Sequence, residues 1–406
     1  MRVLIISQYY WPESFQINDI ASSMAGRGAH VEILTGKPNY PAGCVFEGYR
    51  AGGCLRETHD GLTIHRIPLA PRASGGARLA INYLSFIASG LLFGPWMLRG
   101  RKFDVIFVYA PSPILQAIPA IWLGWLKRCP TVLWIQDLWP ESLSATGHVN
   151  NRFVLAAVGK VVRYIYRKMD LLLVQSEAFV APVEALAGGT PVVYHPNSVA
   201  DSFAAPVTGE EKPLAGLGQG FSVLFAGNIG SAQAVEVIVD AAAELSNFAD
   251  IHFVVVGDGS RRAWMEKEKA ARSLLNLHLP GRFPVEDMPG FMQRASALLV
   301  TLADKEIFRF TVPSKVQAYL AAGRPILACL NGEGARLVSS AGAGLVVPAE
   351  DGKALAQAVL QMYHLSQDER DIMGRNGAKF HLEHFTHDML VDRLSSLLQT
   401  CIAEAR

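Results

Sequence analysis

Short runs of aliphatic and β-branched residues alternate with longer stretches of helical periodicity along the chain. Seven such runs in the first half predict strands, at 3–7, 31–35, 62–67, 104–109, 131–135, 171–175 and 191–194. Helix-length segments separate most of them, and this alternation is typical of a doubly wound parallel sheet. We therefore predict an α/β fold that begins with a Rossmann-like, acceptor-binding domain over residues 1–197.

The pattern lapses between about Pro196 and Gly220 into a linker-like composition rich in Pro, Gly and Ala, and then restarts. Further strands are predicted at 221–226, 251–256, 276–279, 297–302, 325–329 and 344–347. Further helices are predicted at 232–246, 261–272, 285–294, 314–322, 353–365, 368–383 and from 387 to the end. This predicts a second Rossmann-like domain over 198–385 that binds a nucleotide-sugar, and a final helix over 386–406 that packs back on the first domain. Because ligands of open α/β sheets bind beyond the carboxyl ends of the strands, we expect the two domains to face a cleft.

One segment is far more apolar than the rest. Residues 79–98 contain no charge, are flanked by arginines, and are just long enough to span a bilayer. Strands of one sheet are predicted on both sides of it, however, and Pro95 weakens it as a span. We expect a buried helix, or one that lies against the membrane surface. A second basic segment, with Arg152, Lys160, Arg163 and Arg167 at helical spacing, supports membrane contact, although a solvated helix face explains it equally well.

The overall charge adds little to this picture. The chain of 406 residues has a formal net charge of +1, which gives no field typical of a nucleic-acid-binding protein. The first apolar run has four residues and is too short for a secretory signal. We therefore expect a cytoplasmic protein, peripheral on the cytoplasmic face of the inner membrane, with no nucleic-acid partner.

The strongest local signal surrounds a short predicted helix that begins at Ser314. Pro313 precedes it and Gly323 follows it, as expected for a helix start and stop. The free N–H groups of a helix start suit a diphosphate. Lys315 in the first turn and Arg309, six residues earlier, are candidates to neutralise phosphate oxygens, although both residue types are also common on protein surfaces.

Several motifs together resemble a known family. The segment PSKVQAYLAAGRPI at 313–326 follows FAGNIG at 225–230 and VVGDG at 255–259, and the first half adds YWPE at 10–13 and WIQDLWPES at 134–142. In order and spacing they resemble the family 4 retaining glycosyltransferases, which have the GT-B fold. They are similar to bacterial polysaccharide and O-antigen transferases of the L-fucosamine transferase type. The resemblance covers essentially the whole chain.

The resemblance implies a donor site in the second domain. The residues it assigns to the donor diphosphate are Arg309, Lys315, Ser314, Gly227, Asn228 and Gly230. Many members hold the ribose with two glutamates eight positions apart, where this chain has Arg309 and Gln317, with Glu306 nearby. Gln317 is therefore the ribose candidate. The residues it assigns to the base are Phe283, Arg282 and Gly257, although a lone Phe is more often part of a core.

Candidate catalytic carboxylates lie in the first domain. Asp137 and Glu141 follow a predicted strand and are a pair able to deprotonate an acceptor hydroxyl or stabilise an oxocarbenium-like centre. The structural alternative for Asp137 is a helix cap. Asp19 follows the first strand, where acceptor or sugar would approach, and its alternative is the first turn of a helix.

No metal site is expected, because the sequence has no DxD, HExxH or Cys/His cluster. We expect a metal-independent, hexosyltransferase-type enzyme without a cofactor, whose substrate is a nucleotide-sugar, UDP-sugar being favoured over GDP-sugar. The resemblance implies transfer of a (deoxyamino)sugar to an undecaprenyl-diphosphate-linked oligosaccharide in lipopolysaccharide or exopolysaccharide biosynthesis. The alternatives are a non-hydrolysing nucleotide-sugar 2-epimerase and a catalytically inactive nucleotide-sugar-binding subunit.

Overall fold

The computed structural model describes residues 1–72, 75–145, 151–199, 203–204 and 212–405. These residues form two compact units, Met1–Pro196 with Leu390–Arg406, and Asn197–Met389. Much of the stretch predicted as a linker, 196–220, lies outside the described residues.

The first unit is built on an eight-stranded sheet with the order β3-β4-β2-β1-β5-β6-β7-β8. Its strands are β1 Arg2–Ile6, β2 His30–Thr35, β3 Leu55–His59, β4 Leu62–Arg66, β5 Val105–Ala110, β6 Thr131–Ile135, β7 Leu171–Val174 and β8 Val192–Tyr194. All pairings are parallel except that of the edge strand β3 with β4. The seven predicted strands are confirmed. Strand β3 escaped prediction because its polar sequence, LRETH, is largely exposed and carries no alternation.

Helices cover both faces of this sheet. They are α1 Ile17–Gly26, α2 Gly76–Met97, α3 Ala117–Lys127, α4 Glu141–Ala145, α5 Arg152–Lys168, α6 Val180–Ala187 and the final helix α15 His387–Glu404. Ile20 of α1 and Leu394 and Leu398 of α15 share a core with Val3 and Ile5 of β1, so α15 from Leu390 onward packs on this sheet.

Helix α2 coincides with the predicted apolar segment. Among the described residues it is the one helix long and apolar enough to cross a membrane by length and composition. A third of its most apolar window is buried inside the first unit. Asn82, Tyr83 and Phe86 are among its buried residues, so this helix also contributes to the packing of the unit.

The second unit holds a six-stranded sheet, in which every pairing is parallel, with the order β11-β10-β9-β12-β13-β14. Its strands are β9 Phe221–Ala226, β10 Ile251–Val256, β11 Leu277–Gly281, β12 Ala297–Thr301, β13 Ile326–Cys329 and β14 Gly344–Val347. Its helices are α7 Glu236–Glu244, α8 Arg262–Ala271, α9 Met288–Arg294, α10 Glu306–Phe310, α11 Ser314–Ala322, α12 Glu333–Ser340, α13 Gly352–His364 and α14 Gln367–His384. The predicted strands are confirmed, and helix α11 has the predicted bounds. The short helices α10 and α12 were not predicted.

Both sheets are therefore of the predicted kind. Because the strands are parallel, their carboxyl ends lie along one edge of each sheet, and the loops that follow them are brought together. In the second unit, buried strand residues face two separate cores, one containing Phe225 and the other Leu224, so the sheet is covered on both sides.

Candidate active site

The start of α11 is held against the end of β9. Tyr319 is fully buried, and its hydroxyl accepts a hydrogen bond of 3.1 Å from the backbone N–H of Ala226. Val316 and Leu320 are also buried, so one face of the helix is locked into the core. The first turn of α11 and the loop that follows β9 are thereby placed side by side, as the sequence predicted for a phosphate site but did not fix in space.

Lys315 is the most distinctive residue of this region. Its Nζ lies 3.4 Å from the centre of the Phe225 ring, is buried, and has no hydrogen-bond partner among the described residues. Burial lowers the pKa of Lys315 to about 7. A shift of this size corresponds to roughly 5 kcal/mol against charging the amine in this environment. An anion that entered beside the amine would offset that cost, since an opposite charge within hydrogen-bonding distance favours the protonated form.

Gly227 makes room for this amine. It has φ of +134°, and a Cβ atom at this position would lie 2.6 Å from Cε of Lys315. The neighbouring Gly257 is equally constrained, because its Cβ would lie 1.8 Å from the carbonyl oxygen of Gly227. The fold therefore brings Gly257, predicted to bind the base, together with Gly227 and Lys315, which were both predicted to bind the diphosphate.

The rest of the turn after β9 is braced by a side chain. Oε1 of Gln233 accepts hydrogen bonds from the backbone N–H of Gly230 and from Nδ2 of Asn228, both at 3.2 Å. The N–H of Ile229 donates to the carbonyl oxygen of Asp258 at 2.8 Å, which joins this turn to the loop after β10. The backbone of the turn is thus preorganised, and its N–H groups at Ile229 and Gly230 already donate hydrogen bonds within the protein.

Arg309 has a different environment from Lys315. It lies on α10 with its side chain 55% exposed, and its Nη2 donates to Oδ1 of Asp304 at 2.9 Å. Asn331 also donates to Asp304, and the two contacts lower the pKa of this carboxyl, that of Asn331 having the larger effect. The guanidinium thus has a counter-ion, which a diphosphate would have to displace. Its phosphate role stays a prediction.

The ribose and base candidates occupy other positions in the second unit. Gln317 is buried, and its Nε2 donates to the carbonyl oxygen of Asn197 at 2.9 Å. Phe283 is partly buried and packs edge-on against Phe291 with ring centres 5.1 Å apart, while Arg282 and Ser314 are exposed. Phe283 therefore has a packing role, and the assignments to ribose and base stay predictions.

Arg262 was not singled out from the sequence, where it looked like an ordinary helix residue. Its Nη1 donates to the carbonyl oxygen of Gly257 at 3.2 Å, and its Nε is paired with Glu266 at 2.9 Å. A Cβ on Gly281 would lie 3.1 Å from the same guanidinium. Arg262 therefore braces the loops after β10 and β11, and only the cluster of glycines around it was visible in the sequence.

Asp137 is the corresponding group in the first unit. It directly follows β6, and burial raises its pKa to about 6. The charge of Asp137 in turn raises the pKa values of Tyr83 and Tyr109, although burial is the larger cause for both. These tyrosines place Asp137 beside α2 and the end of β5. Trp139 is buried near Tyr83, with ring centres 6.3 Å apart, as expected of a packing residue.

The other carboxylates differ from Asp137. Glu141 and Asp19 are exposed in the first turns of α4 and α1, where the helix dipole favours a negative charge. Glu13 is buried and accepts hydrogen bonds from the backbone N–H groups of Asn39 at 2.8 Å and Tyr40 at 2.7 Å. Glu13 therefore holds the loop after β2, and Asp137, whose pKa burial raises to about 6, stays the candidate base.

An aromatic cluster at the same edge was also missed. The ring of Tyr9 stacks on Phe15 at 5.2 Å, Tyr40 lies 5.3 Å from Phe15, and the guanidinium of Arg72 lies 5.4 Å from the centre of the Tyr40 ring. Tyr40 is 38% exposed. These residues come from the three loops after β1, β2 and β4, so no local sequence motif predicts that they cluster.

Comparison with known families divides the chain at the same place as the two sheets. Residues 15–198 match the family described as glycosyl transferase 4-like domain, and residues 220–364 match glycosyl transferases group 1. The probable glycosyltransferase WbjE of Pseudomonas aeruginosa is 26% identical over 317 residues, which cover 75% of this chain and 78% of that protein. The putative colanic acid biosynthesis glycosyl transferase WcaI of Escherichia coli is 25% identical over 354 residues, which cover 80% of this chain and 82% of that protein.

Solved structures show the same fold. Sucrose-phosphate synthase from Thermosynechococcus elongatus superimposes with a TM-score of 0.73 over 99% of both chains, at 17% sequence identity. Anabaena Alr3699/HepE, solved in complex with UDP and glucose, superimposes with a TM-score of 0.67 over 98% of this chain and 100% of that one, at 12% identity. The expected GT-B fold of two Rossmann-like, parallel-sheet domains is thus confirmed. The chain belongs to the glycosyltransferases, with a glycosyl transferase 4-like domain followed by a group 1 domain.

Proposed function

We propose that this glycosyltransferase takes its sugar from a nucleoside diphosphate that binds at the start of α11. The observation that carries the proposal is the buried Nζ of Lys315, which has no hydrogen-bond partner in the part of the chain that the structure describes and lies beside the glycine turn after β9. A buried amine without a partner is costly unless a ligand pairs with it. A diphosphate supplies that pairing.

The same group serves the chemistry. When the bond between the sugar and the diphosphate breaks, negative charge develops on the leaving oxygen, and a preorganised cation in a dry site stabilises it. The N–H groups at the start of α11 add a partial positive charge. Lys315 and the helix start thus supply leaving-group stabilisation from the protein itself, in keeping with the proposed metal-independent, hexosyltransferase-type reaction.

For the donor we favour a UDP-sugar over a GDP-sugar, and among UDP-sugars a deoxyaminosugar. The uridine part is supported by the neighbours Alr3699/HepE, solved with UDP, and the E. coli protein solved with UDP-2-fluoro glucose. The sugar rests on the motif resemblance to L-fucosamine transferases. Retention of configuration at the anomeric carbon is proposed on the same ground.

For the acceptor we propose a hydroxyl of an undecaprenyl-diphosphate-linked oligosaccharide, at the cytoplasmic face of the inner membrane. Asp137, with its pKa raised to about 6, is the group that takes the acceptor proton or stabilises the positively charged sugar centre. The similarity to WcaI, a putative glycosyl transferase of colanic acid biosynthesis, supports a role in cell-surface polysaccharide synthesis. The apolar, exposed side of α2 supports a lipid-linked acceptor.

The test is release of nucleotide and formation of product from panels of UDP-sugars and GDP-sugars with undecaprenyl-diphosphate-linked acceptors. Wild-type protein is compared with Lys315→Met and with the surface control Lys353→Met. The proposal requires acceptor-dependent product from one donor, lost in Lys315→Met and kept in the control. Donor epimerised without acceptor would establish the 2-epimerase alternative. Tight nucleotide binding without turnover of any donor would establish an inactive binding subunit.

A further inference from the structure

Three helices of the first unit share an unusual charge pattern. Helices α2, α3 and α5 contain no Asp or Glu. Their basic residues are Arg78, Lys127, Arg152, Lys160, Arg163, Arg167 and Lys168. Helices α1 and α15, which cover the opposite face of the sheet, both contain acidic residues. Helices α2, α3 and α5 therefore carry positive charge alone, whereas α6, which packs on α5, contributes one exposed carboxylate, Glu184.

The positive face is also apolar at its surface. Along α2, the side chains at successive turns are solvent-exposed and uncharged, namely Ile81, Leu84, Leu91, Leu92 and Trp96. Leu92 and Trp96 are 69% and 66% exposed. A contiguous apolar strip of this kind is rare on a protein that contacts only water.

Helices α2 and α3 run side by side in the same direction. A Cβ on Gly90 would lie 2.6 Å from Pro119, and a Cβ on Gly94 would lie 3.4 Å from Leu123, so small residues of α2 allow a close approach to α3. Nζ of Lys127 donates to the carbonyl oxygen of Leu98 at 2.6 Å and joins the two carboxyl-terminal ends. The exposed aromatic residues at those ends are thereby brought to one end of the face.

A cavity of about 1020 Å³ opens at that end, and we call it the basal cavity. Its rim carries Trp122 and Trp125, whose rings stack with centres 5.1 Å apart, and Tyr164 of α5. Trp125 is 70% exposed and Tyr164 51% exposed. Arg128 and Lys168 also line the cavity.

The acidic groups in the cavity wall are engaged elsewhere. Asp104 is paired with Arg2 at 2.7 Å, and Asp170 accepts hydrogen bonds from the backbone N–H of Thr131 at 2.7 Å and from its hydroxyl at 3.0 Å. Arg128 and Lys168 are exposed, and no carboxylate pairs with either among the described residues. With Asp104 neutralised by Arg2, Arg128 and Lys168 outnumber Asp170, so the ionisable side chains that line the cavity have a net positive charge.

We propose that the basal cavity binds the headgroup of an anionic phospholipid, and that the face of α2, α3 and α5 lies on the bilayer. Trp and Tyr side chains prefer the membrane interface, where an apolar ring and a polar N–H or O–H are both accommodated. Basic residues near an anionic leaflet each add attraction. Stacked exposed tryptophans beside unpaired cations match a lipid phosphate above an acyl chain, and a fully water-soluble anion would leave the tryptophans exposed.

An orientation with α2, α3 and α5 on the bilayer is compatible with the proposed lipid-linked acceptor. The opposite end of α2 lies beside the loop after β1, because Oδ1 of Asn82 accepts a hydrogen bond of 2.7 Å from Nε2 of Gln8. Tyr83, next in the helix, is close to Asp137. A face that lies flat on the membrane would thus bring the Asp137 edge close to lipid-linked acceptors. The inference rests on the proposed membrane location for its setting, but lipid binding is measurable without sugar transfer.

The experiment is flotation of the full chain with vesicles of phosphatidylethanolamine and phosphatidylglycerol, and with phosphatidylcholine vesicles. We expect binding to the anionic vesicles that weakens with added salt. At about 1 kcal/mol for each basic residue near the surface, Arg128→Ala with Lys168→Ala should weaken binding roughly 30-fold. Trp122→Ala with Trp125→Ala should weaken it by a similar factor, whereas the exposed controls Lys267→Ala and Leu275→Ala in the second unit should leave it unchanged.

Quenching of tryptophan fluorescence by brominated phosphatidylglycerol tests whether Trp122 and Trp125 contact the lipid. The brominated lipid should quench the fluorescence of the wild type, and Trp122→Phe with Trp125→Phe should lose most of that quenching. Equal binding of all variants, or binding of soluble glycerol phosphate that vesicles do not strengthen, would overturn the proposal. Circular dichroism and thermal unfolding check that each variant is folded. Transfer to a soluble acceptor analogue separates failure of lipid binding from failure of the proposed reaction.

Discussion

The two side chains that we propose for the reaction lie beside the carboxyl ends of the strands, one in each sheet, and they have opposite charge types. Asp137 follows β6 in the first unit, and Lys315 lies in the first turn of α11 in the second. Burial raises the pKa of Asp137 to about 6 and lowers that of Lys315 to about 7. For both groups burial is the cause of the shift. Loss of water thus shifts the pKa of the acid upward and that of the base downward, so that both come close to 7.

The two pKa shifts suit the different steps that we propose for the two units. A carboxyl with a pKa near 6 is ionised at neutral pH, yet basic enough to accept a proton. An amine with a pKa near 7 takes up its full charge when an anion arrives. Arg309 differs in environment, because its guanidinium is partly exposed and already has a carboxylate partner in Asp304. Water exclusion, and not ion pairing, distinguishes the two groups that we propose for the reaction.

The largest expected effect is that of Asp137→Asn, which removes the proposed base while preserving size. A general base typically contributes about 10²- to 10⁴-fold, so kcat should fall by at least roughly 100-fold. The dissociation constant of UDP should stay unchanged, because nucleotide binding is proposed for the second unit. Steady-state kinetics and calorimetry measure the two quantities. Glu141→Gln is the matched control, and an equal loss in that variant would reassign the base.

Lys315→Met should act on nucleotide binding itself. A hydrogen bond to a charged group is worth about 1.5–3 kcal/mol, so the dissociation constant of UDP should rise roughly 10- to 100-fold. The methionine removes a buried amine without a partner, so thermal stability in the absence of nucleotide should rise. A variant that binds UDP as well as the wild type would remove the basis of the proposed donor site.

The pKa of Lys315 predicts a pH dependence with a definite sign. Below about pH 7 the amine is already protonated, whereas above it UDP binding must bring a proton from solvent. Affinity should therefore fall as pH rises above 7, by up to about tenfold per pH unit, and binding should take up protons in that range. Calorimetry in buffers of different ionisation enthalpy measures this uptake. Lys315→Met separates it from titration of the phosphate, and uptake that persists in this variant would exclude Lys315 as its source.

Arg309→Gln should have the smallest effect. Because its guanidinium is paired with Asp304, we expect the dissociation constant of UDP to rise only about two- to fivefold, as for other partly exposed ion pairs. Asp304→Asn tests the same idea from the other side and should tighten UDP binding if Arg309 is released. A loss in Arg309→Gln as large as that in Lys315→Met would restore Arg309 to the donor site on equal terms.

Much of the fold was predictable because its signals are local. The bounds of α11, Ser314–Ala322, were predicted exactly from Pro313 and Gly323, whose backbone preferences operate within one turn of helix. The buried parallel strands were predictable from their apolar runs. Strand β3 was not, since its polar sequence becomes a strand only through pairing with β4.

The candidate site was predictable in residue type but not in environment. Lys315 and Arg309 looked equivalent along the chain as two cations near a helix start. Their difference comes from residues distant in sequence or from an unpredicted loop, since Phe225 and Gly227 enclose the lysine while Asp304 and Asn331 engage the arginine. Asp137 and Glu141 also looked alike in the sequence, and they differ in burial, which depends on tertiary packing.

The sequence by itself determined that the chain forms two parallel, doubly wound sheets, which residues begin the helix proposed to bind the diphosphate, and which segments are apolar and basic. Periodicity, proline and glycine act over a few residues, so these properties need no tertiary contacts. Only the tertiary structure decided which charged groups lose their water, which cations find a carboxylate, and that Trp122 and Trp125 gather with Arg128 and Lys168 around one cavity. Burial and pairing depend on neighbours that are remote in sequence, and no local pattern carries that information.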